Sequence, residues 1–235
     1  MALYNIADLC VQMDVFGRTA QQAEPYKIQQ GIPDLTVTCD PQKIMEHNPT
    51  LKSLDEAQYL ASGAVFARQL LQFEGFQLHA SSVILNGYAY LFSAPSGTGK
   101  STHTEKWVRL FDAQYLNDDK PALRVMDGNW MAYGTPWSGK NDLSSPEGVP
   151  VGGIAYLKHG DQNEIRRMTP AEALPVIMSQ SLWRLGSEKM DRQLALVDRL
   201  LACVPVWELT CRNEDAAAIL SRDVMTLEVQ HRNEK

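Results

Sequence analysis

The chain lacks any uninterrupted apolar run of membrane-spanning length. Its first residues, Met1-Ala2-Leu3-Tyr4-Asn5, do not form a basic region followed by an apolar segment, so a cytoplasmic protein is expected. Cysteine is scarce. Cys10, Cys39, Cys203 and Cys211 contain no Cys-x-x-Cys pair, which fits reduced, mostly buried thiols rather than a disulfide framework. His47, His79, His103, His159 and His231 share no metal-ligand spacing with those cysteines, which argues against a structural zinc site. A basic excess is missing too: the formal net charge is −6, which argues against a general nucleic-acid or anionic-membrane surface. Any phosphate chemistry must then be local. Internal repeats and low-complexity linkers are absent, and 235 residues allow one sizeable core or a main domain with a smaller appendage.

What is present is concentrated in Leu91–Thr102, which reads as a buried strand, a glycine-bearing loop and a helix start. Ala94-x-x-x-x-Gly99-Lys100-Ser101 matches the phosphate-binding P-loop pattern, with Ala94 where the common form has its first glycine. In that pattern Ala94, Pro95, Ser96, Gly97, Thr98 and Gly99 would wrap phosphate oxygens with backbone N–H groups. Ser101 and Thr102 would open a helix with unpaired N-terminal amides, Lys100 would add a point charge, and Ser101 would be placed to bind Mg²⁺.

The flanking segments are expected to complete a site. Phe76–Leu85 reads as one strand, Asn86-Gly87 as a two-residue hairpin turn and Tyr88–Ser93 as the returning strand. That register sets Leu85 against Tyr88, Val83 against Tyr90 and Ser81 against Phe92, and brings His79 opposite Ala94. A helix over Ser101–Phe111 and a short strand over Ala113–Leu116 then form a crossover expected in a parallel sheet. Asn117-Asp118-Asp119 would follow that strand at its carboxyl end and face the phosphates. One carboxylate could hold Mg²⁺ while the other accepts the proton of an attacking hydroxyl; a plain Asn-Asp-Asp turn is the alternative. His103, on the first turn of the helix, is either close to the nucleotide or a structural histidine.

Asp127-Gly128 predicts a second hairpin with Val125 facing Trp130 and Leu123 facing Ala132. It would hang Gly134–Lys140 over the site, where Thr135, Trp137 and Lys140 suit phosphate or substrate contact; a glycine-proline surface loop is equally open. Elsewhere, Ser53-x-x-Glu56 predicts a capped amphipathic helix with Leu60 on its apolar stripe, stopped at Gly75. Ile165–Met168 is expected to pair with a strand over Val149–Leu157, and Thr169-Pro170-Ala171-Glu172 opens a helix to about Leu182. Gly186-Ser187 precedes a helix to Cys203, Val204–Thr210 makes a last strand, and Asn213 caps a helix to about Met225. The first fifty residues read as irregular strands of a smaller sheet or flank, in which Asp14-Val15-Phe16-Gly17-Arg18 and Gln21-Gln22 are either substrate contacts or plain loops. The resulting division is an N-terminal flank over 1–75, a core over 76–228 and a polar, frayed tail over 229–235.

With these residues together, the stretch from His79 to Met225 resembles the HPr kinase/phosphorylase family, bacterial serine kinases whose core is shared with ATP-dependent phosphoenolpyruvate carboxykinase. That family combines a histidine on the strand before the loop, a Gly-Lys-Ser or Gly-Lys-Thr ending and an Asp-Asp pair, here His79, Gly99-Lys100-Ser101 and Asp118-Asp119. Small stand-alone members have Gly-Lys-Ser-Thr-His-Thr, Leu-Asn-Asp-Asp-Lys-Pro and Gly-Thr-Pro-Trp, found here at Gly99–Thr104, Leu116–Pro121 and Gly134–Trp137.

The resemblance implies an α/β fold with a P-loop core of mixed sheet flanked by helices, and a small β-rich N-terminal flank. It implies ATP and Mg²⁺ as cofactors and a protein or peptide carrying a serine hydroxyl as partner, and homo-oligomers are common in the family. Asp118 would deprotonate the hydroxyl, Asp119 and Ser101 would hold Mg²⁺, Lys100 would neutralise the β- and γ-phosphates, and His79 would contact metal or phosphoryl group. Where the family carries Arg-Pro-Gly-Arg-Asn, this chain has Cys211-Arg212-Asn213, which gives Arg212 a phosphate or substrate contact. A nucleotide-sensing module without transfer and a carboxykinase-related activity are the alternatives.

Overall fold

The computed structural model describes residues 1–181 and 187–234. Its N-terminal part begins with β1 (Ala2–Ile6) and β2 (Leu9–Met13), a hairpin whose turn residues Ala7 and Asp8 both sit at φ 56°. Helix α1 (Gly17–Ala23), β3 (Lys27–Ile28) and β4 (Leu35–Val37) follow, and the four strands form a sheet ordered β3-β1-β2-β4. The expected small sheet is there; α1 and α2 (Pro41–His47) are additions that short apolar stretches gave no sign of. Asp40 caps α2 by accepting from the N–H groups of Gln42 and Lys43.

Helix α3 (Leu54–Leu70) starts as expected, with Ser53 Oγ accepting from Glu56 N at 3.1 Å. The Glu56 carboxylate reaches Lys52 N at 2.9 Å, one residue upstream of the capping-box geometry. Its buried stripe of Tyr59, Phe66 and Leu70 joins Ile6, Val11 and Met13 of the small sheet in one core, together with Tyr133 and Trp137. The helix stop falls on Glu74, at φ 56°, rather than on Gly75. Gly75 is required for closeness instead, since a Cβ there would lie 2.7 Å from the Leu123 carbonyl oxygen.

The rest is a nine-stranded mixed sheet between helices. In chain order it comprises β5 (Gly75–Gln77), β6 (Ala80–Leu85), β7 (Tyr88–Ser93), α4 (Lys100–Phe111), β8 (Gln114–Asp119), β9 (Ala122–Met126) and β10 (Asn129–Tyr133). Then come β11 (Gly148–His159), β12 (Glu164–Arg167), α5 (Pro170–Ser179), α6 (Ser187–Cys203), β13 (Val206–Cys211) and α7 (Asp215–Asn233). The main path is β5-β9-β10-β11-β7-β6-β8, with β13 on β11 and β12 on β13. Period-two alternation places Ala89 and Leu91 of β7 against α5 and α6 residues such as Ile177 and Leu200. Tyr90 and Phe92 face the opposite layer, with Trp107 of α4 and Met225 of α7. Helices thus cover both faces.

Several expectations need correcting. The strand foreseen over Phe76–Leu85 is broken at Leu78-His79, because β5 pairs with β9 while β6 pairs with β7 and β8. At the break, Leu78 N bonds Pro121 O at 3.2 Å and His79 N bonds Gln180 O at 2.6 Å. The crossover through α4 does join parallel strands, but antiparallel β6 lies between β7 and β8, so the sheet here is mixed. Strand β12 pairs with β13 and not with β11, because parallel β13 already occupies the β11 edge.

Helix α7 runs to Asn233, well past Met225, and its N-cap is Glu214 rather than Asn213. Ser221, Met225 and Val229 recur every four residues on its buried face, and Arg232 donates to Gly152 O, so the polar end is docked. Helix α5 has the full Thr169/Glu172 capping box and ends at Ser179; the expected end at Leu182 and the break at Gly186 lie outside the described residues. All four cysteines are free, Cys203 exposed and the others half-buried, so they are more accessible than expected. Among the described residues, no helix is long and apolar enough to cross a membrane.

Candidate active site

The Asn86-Gly87 turn takes φ values of 52° and 79°, the left-handed conformations that a tight hairpin requires. The β6/β7 ladder then has the anticipated pairs Leu85↔Tyr88, Val83↔Tyr90 and Ser81↔Phe92. It delivers His79 and Ala94 to the same end of the hairpin, where Ser93 Oγ donates to His79 O at 2.9 Å. Beyond Ser93 the chain loops through Gly97 (φ 82°) and Gly99 (φ 94°) into α4. A Cβ at either glycine would meet nothing within 4 Å, so it is the left-handed backbone, not crowding, that calls for glycine.

Gly99 supplies no side-chain cap, which leaves the first amides of α4 facing the loop interior. Lys100 Nζ donates to Ala94 O at 2.9 Å and Pro95 O at 3.2 Å, drawing the loop closed. Burial lowers the Lys100 pKa, while Asp119 and Asp118 pull it the other way. Thr98 Oγ1 donates to Pro95 O at 2.9 Å and tightens the same turn.

Strand β8 presents the acid pair. Asp118 is buried, and its Oδ1 accepts from Ser81 Oγ at 2.6 Å while Oδ2 accepts from Asn141 Nδ2 at 3.3 Å. Ser81 Oγ also lies 2.7 Å from Thr104 Oγ1 on α4, linking the helix that follows the glycine loop to the Asp118 carboxylate. Asp119 Oδ2 accepts from the Tyr59 hydroxyl at 3.3 Å, and its Oδ1 lies 3.5 Å from His79 Nε2. Burial, then the Lys100 charge, lowers the His79 pKa against the opposing pull of Asp119. At neutral pH the His79–Asp119 contact is therefore one between a neutral ring and a carboxylate. Asn117 Oδ1 accepts from the N–H groups of Asp119 at 3.1 Å and Lys120 at 2.7 Å, and its Nδ2 donates to Thr135 O at 2.8 Å. Asn117-Asp118-Asp119, expected to follow the strand, is the last part of β8 itself, and these bonds fix its end.

These groups line one cleft of about 500 Å³, with His79, Lys100, Ser101, Asp118, Asp119 and Lys140 on its walls. Ser96, Gly97, Gly99 and Thr102 complete the phosphate-loop side. Arg212 lies outside this cleft. It borders a smaller cavity of about 220 Å³, shared with Gly97, Thr98, Gly99, Thr102, His103 and Lys106.

Thr135 and Trp137 are not in the cleft either: both are fully buried. Thr135 Oγ1 donates to Lys120 O at 2.8 Å, and Trp137 stacks on Phe66 at 4.9 Å with its Nε1 donating to Ser62 Oγ at 3.1 Å. Gly63 of α3 makes room for that indole, since a Cβ there would come within 2.9 Å of Trp137 Cδ1. His103 is buried too, 2.9 Å from Ser221 Oγ, and burial lowers its pKa to about 3, so it is a neutral core residue.

The facing wall is the end of the loop expected to overhang the site, Gly139-Lys140-Asn141, and it is braced from α1 and α3. Tyr59 OH accepts from Gly139 N at 3.0 Å as well as contacting Asp119. Gly139, at φ 73°, passes so close to the acid pair that a Cβ would lie 2.8 Å from Asp118 O. From α1, the Arg18 guanidinium lies 4.5 Å over the Tyr59 ring and donates to Gly139 O. Gln22 Nε2 reaches both Ser138 Oγ and Gly139 O at 3.1 Å. The N-terminal part of the chain thus braces the loop that closes over Asp118 and Asp119. Arg18 and Gln22 lie in stretches that read as substrate contacts or plain loops, and they fall in α1 and hold Ser138 and Gly139 instead. Tyr59 had no signal, and using the place of Ser81 on the hairpin required knowing that β8 pairs with β6.

No protein-family model matches the chain, and no curated protein matches it in sequence. Among solved structures, the Hpr(Ser) kinase/phosphatase from Coxiella burnetii is similar with a TM-score of 0.38 and 13% identity, over 67% of this chain and 91% of that one. So remote a likeness carries no residue assignments. The chain itself is a mixed α/β protein with helices on both sides of its main sheet.

Proposed function

We propose that this chain is an ATP- and Mg²⁺-dependent kinase that transfers the terminal phosphoryl group of ATP to a serine or other hydroxyl of a protein or peptide. The observation that carries the reading is the placement of Lys100 and the glycine loop in one cleft with two carboxylates, Asp118 and Asp119. The N–H groups around Gly97–Thr102 bind phosphate oxygens, and Lys100 exchanges its carbonyl partners for them.

The donor set fits Mg²⁺, which is usually held by one or two carboxylates, phosphates and water rather than by an all-protein cage. Asp119 and Ser101 would supply its protein oxygens, and the ion when bound would neutralise phosphate charge. Tyr59 and His79 fix the Asp119 carboxylate from both sides. Asp118 takes the acceptor hydroxyl proton as that oxygen bonds to phosphorus and the bond to the ADP oxygen breaks. Ser81 and Asn141 hold the Asp118 carboxylate in position without neutralising it.

The test is incubation with labelled ATP, Mg²⁺ and serine-containing proteins and peptides, followed by mass spectrometry. Hydroxyl-linked phosphate is expected with the wild type and is lost with Asp118→Asn. Transfer at the wild-type rate by that variant would remove Asp118 as the base. Tight, Lys100-dependent ATP binding with no transfer to any acceptor would replace the kinase by a nucleotide sensor.

A further inference from the structure

A second cavity, of about 270 Å³, shares no phosphate-loop residue with the cleft and lies outside the chemistry described above. One wall is α3, with Leu60, Gly63, Ala64 and Ala67; the other is Gln77, Lys120, Gln180 and Ser181. His79 borders both this cavity and the phosphate cleft. Its Nε2 lies 3.5 Å from Asp119, and its Nδ1 lies 3.2 Å from Gln180 Oε1. A chain laid across His79 would therefore present one residue to the acid pair and an adjoining residue to the second cavity.

The lining decides what that residue is. The α3 wall carries no charged or hydrogen-bonding side chain, and Leu60 stands 41% exposed on it, off the buried stripe to which its spacing had assigned it. The polar groups opposite are already paired within the protein. Gln77 Nε2 donates to Lys120 O at 3.3 Å, Gln180 Nε2 to Ser179 Oγ at 3.2 Å, and Ser181 Oγ to Met178 O at 3.2 Å while accepting from Gln193. Paired groups gain little from a polar ligand, whereas the apolar wall gains from being covered. Lys120 Nζ, 5.4 Å above the Tyr59 ring and 4.0 Å from Asp119, is the one charged group among the described residues of the lining. The volume lies below the ~300–1,000 Å³ of sites for drug-sized ligands and suits one or two side chains.

We infer that this cavity is an acceptor subsite, which takes an uncharged apolar side chain of a peptide segment next to the hydroxyl to be phosphorylated. The inference rests on the kinase reading and adds the class of acceptor. Its test is a set of serine peptides differing only in the flanking residues, Leu, Ala, Gly, Lys or Asp, assayed with ATP and Mg²⁺ on the full chain. Leu-flanked peptides are expected to exceed Gly-flanked ones in kcat/KM by about 10-fold or more.

Two variants locate the effect: Ala64→Leu fills the cavity, and Leu60→Ala strips its exposed wall without touching a buried residue. Each should erase most of the Leu-over-Gly preference, with ATP affinity followed in parallel by titration calorimetry. Equal labelling of all peptides by the wild type, or full preference kept by both variants, overturns the subsite and leaves the kinase standing. A change in ATP-against-GTP affinity without a change in peptide preference reassigns the cavity to the nucleotide base and also overturns it. Absence of any transfer overturns the kinase reading and the subsite together.

Discussion

One wall of the cleft, from His79 through the glycine loop to Asp119, is a single run of about forty residues in sequence. The facing wall is Gly139–Asn141, a loop held by Arg18 and Gln22 from α1 and Tyr59 from α3, with Arg18 more than a hundred residues of chain away from it. The first wall is held by hairpin register and backbone conformation. The second is held by side chains meeting across long loops: an arginine over a tyrosine, a glutamine on a serine, a tyrosine hydroxyl on a backbone amide. A wall of the first kind forms wherever its turn residues are right, and one of the second kind exists only once the whole chain has folded.

The strongest way to break this contrast is at its two carriers of charge. Under the kinase reading, Lys100→Ala should lower ATP affinity by about 100-fold or more, and Asp118→Asn should cut transfer by about 10²–10⁴-fold with ATP affinity kept. Calorimetry and single-turnover labelling separate the two. A fold change of similar size in binding and in transfer for both variants would merge their roles.

Next in size is Trp137→Ala, in the core behind the facing wall. The indole is fully buried against Phe66, so its loss should cost about 3–5 kcal/mol in urea unfolding. A cost under about 1 kcal/mol, coupled to lost acceptor binding, would return Trp137 to the substrate contacts.

A pH experiment probes the layer behind the glycine loop. His103 is lowered to about 3 by burial, so between its unfolded value near 6.5 and that point the unfolded chain binds the proton and the folded chain does not. Its contribution is complete above about pH 6.5 and is lost as pH falls toward 3. Unfolding free energy should drop by about 1.4 kcal/mol per pH unit between pH 6 and 5 from this group, and His103→Asn should flatten that slope. An equal slope in the variant would mean that His103 is protonated in the fold.

The smallest expected effect is that of Arg18→Ala. Losing the half-buried Arg18 cation over the Tyr59 ring costs about 0.5–1 kcal/mol, so transfer should fall only about two- to five-fold. Hydrogen exchange over residues 138–142 should quicken at the same time. Unchanged exchange there would show that the N-terminal part does not brace the loop.

Much of the first wall was legible because its determinants are local. Asn86-Gly87 and Asp127-Gly128 dictate hairpin turns, and both observed registers follow, Trp130 opposite Val125 included. Where pairing is set by a strand's competition for neighbours, the local signal fails. Period-two patterning does not say that Leu78-His79 changes partners, or that β13 reaches the β11 edge before β12. Hydrophobic spacing also hid α7: its buried residues are separated by charged ones, so the end of the helix reads as a solvated tail.

The sequence by itself determined the turn-bound hairpins, the glycine positions that need positive φ and the convergence of His79, Lys100 and the β8 carboxylates. Only the tertiary structure decided that Thr135, Trp137 and His103 are interior, that Leu60 faces a cavity, and that Arg18 and Tyr59 hold the loop that lines the cleft. The physical reason is range. Backbone dihedrals are fixed by a residue and its neighbours, whereas burial and side-chain partnership belong to surfaces that exist only after distant segments have packed.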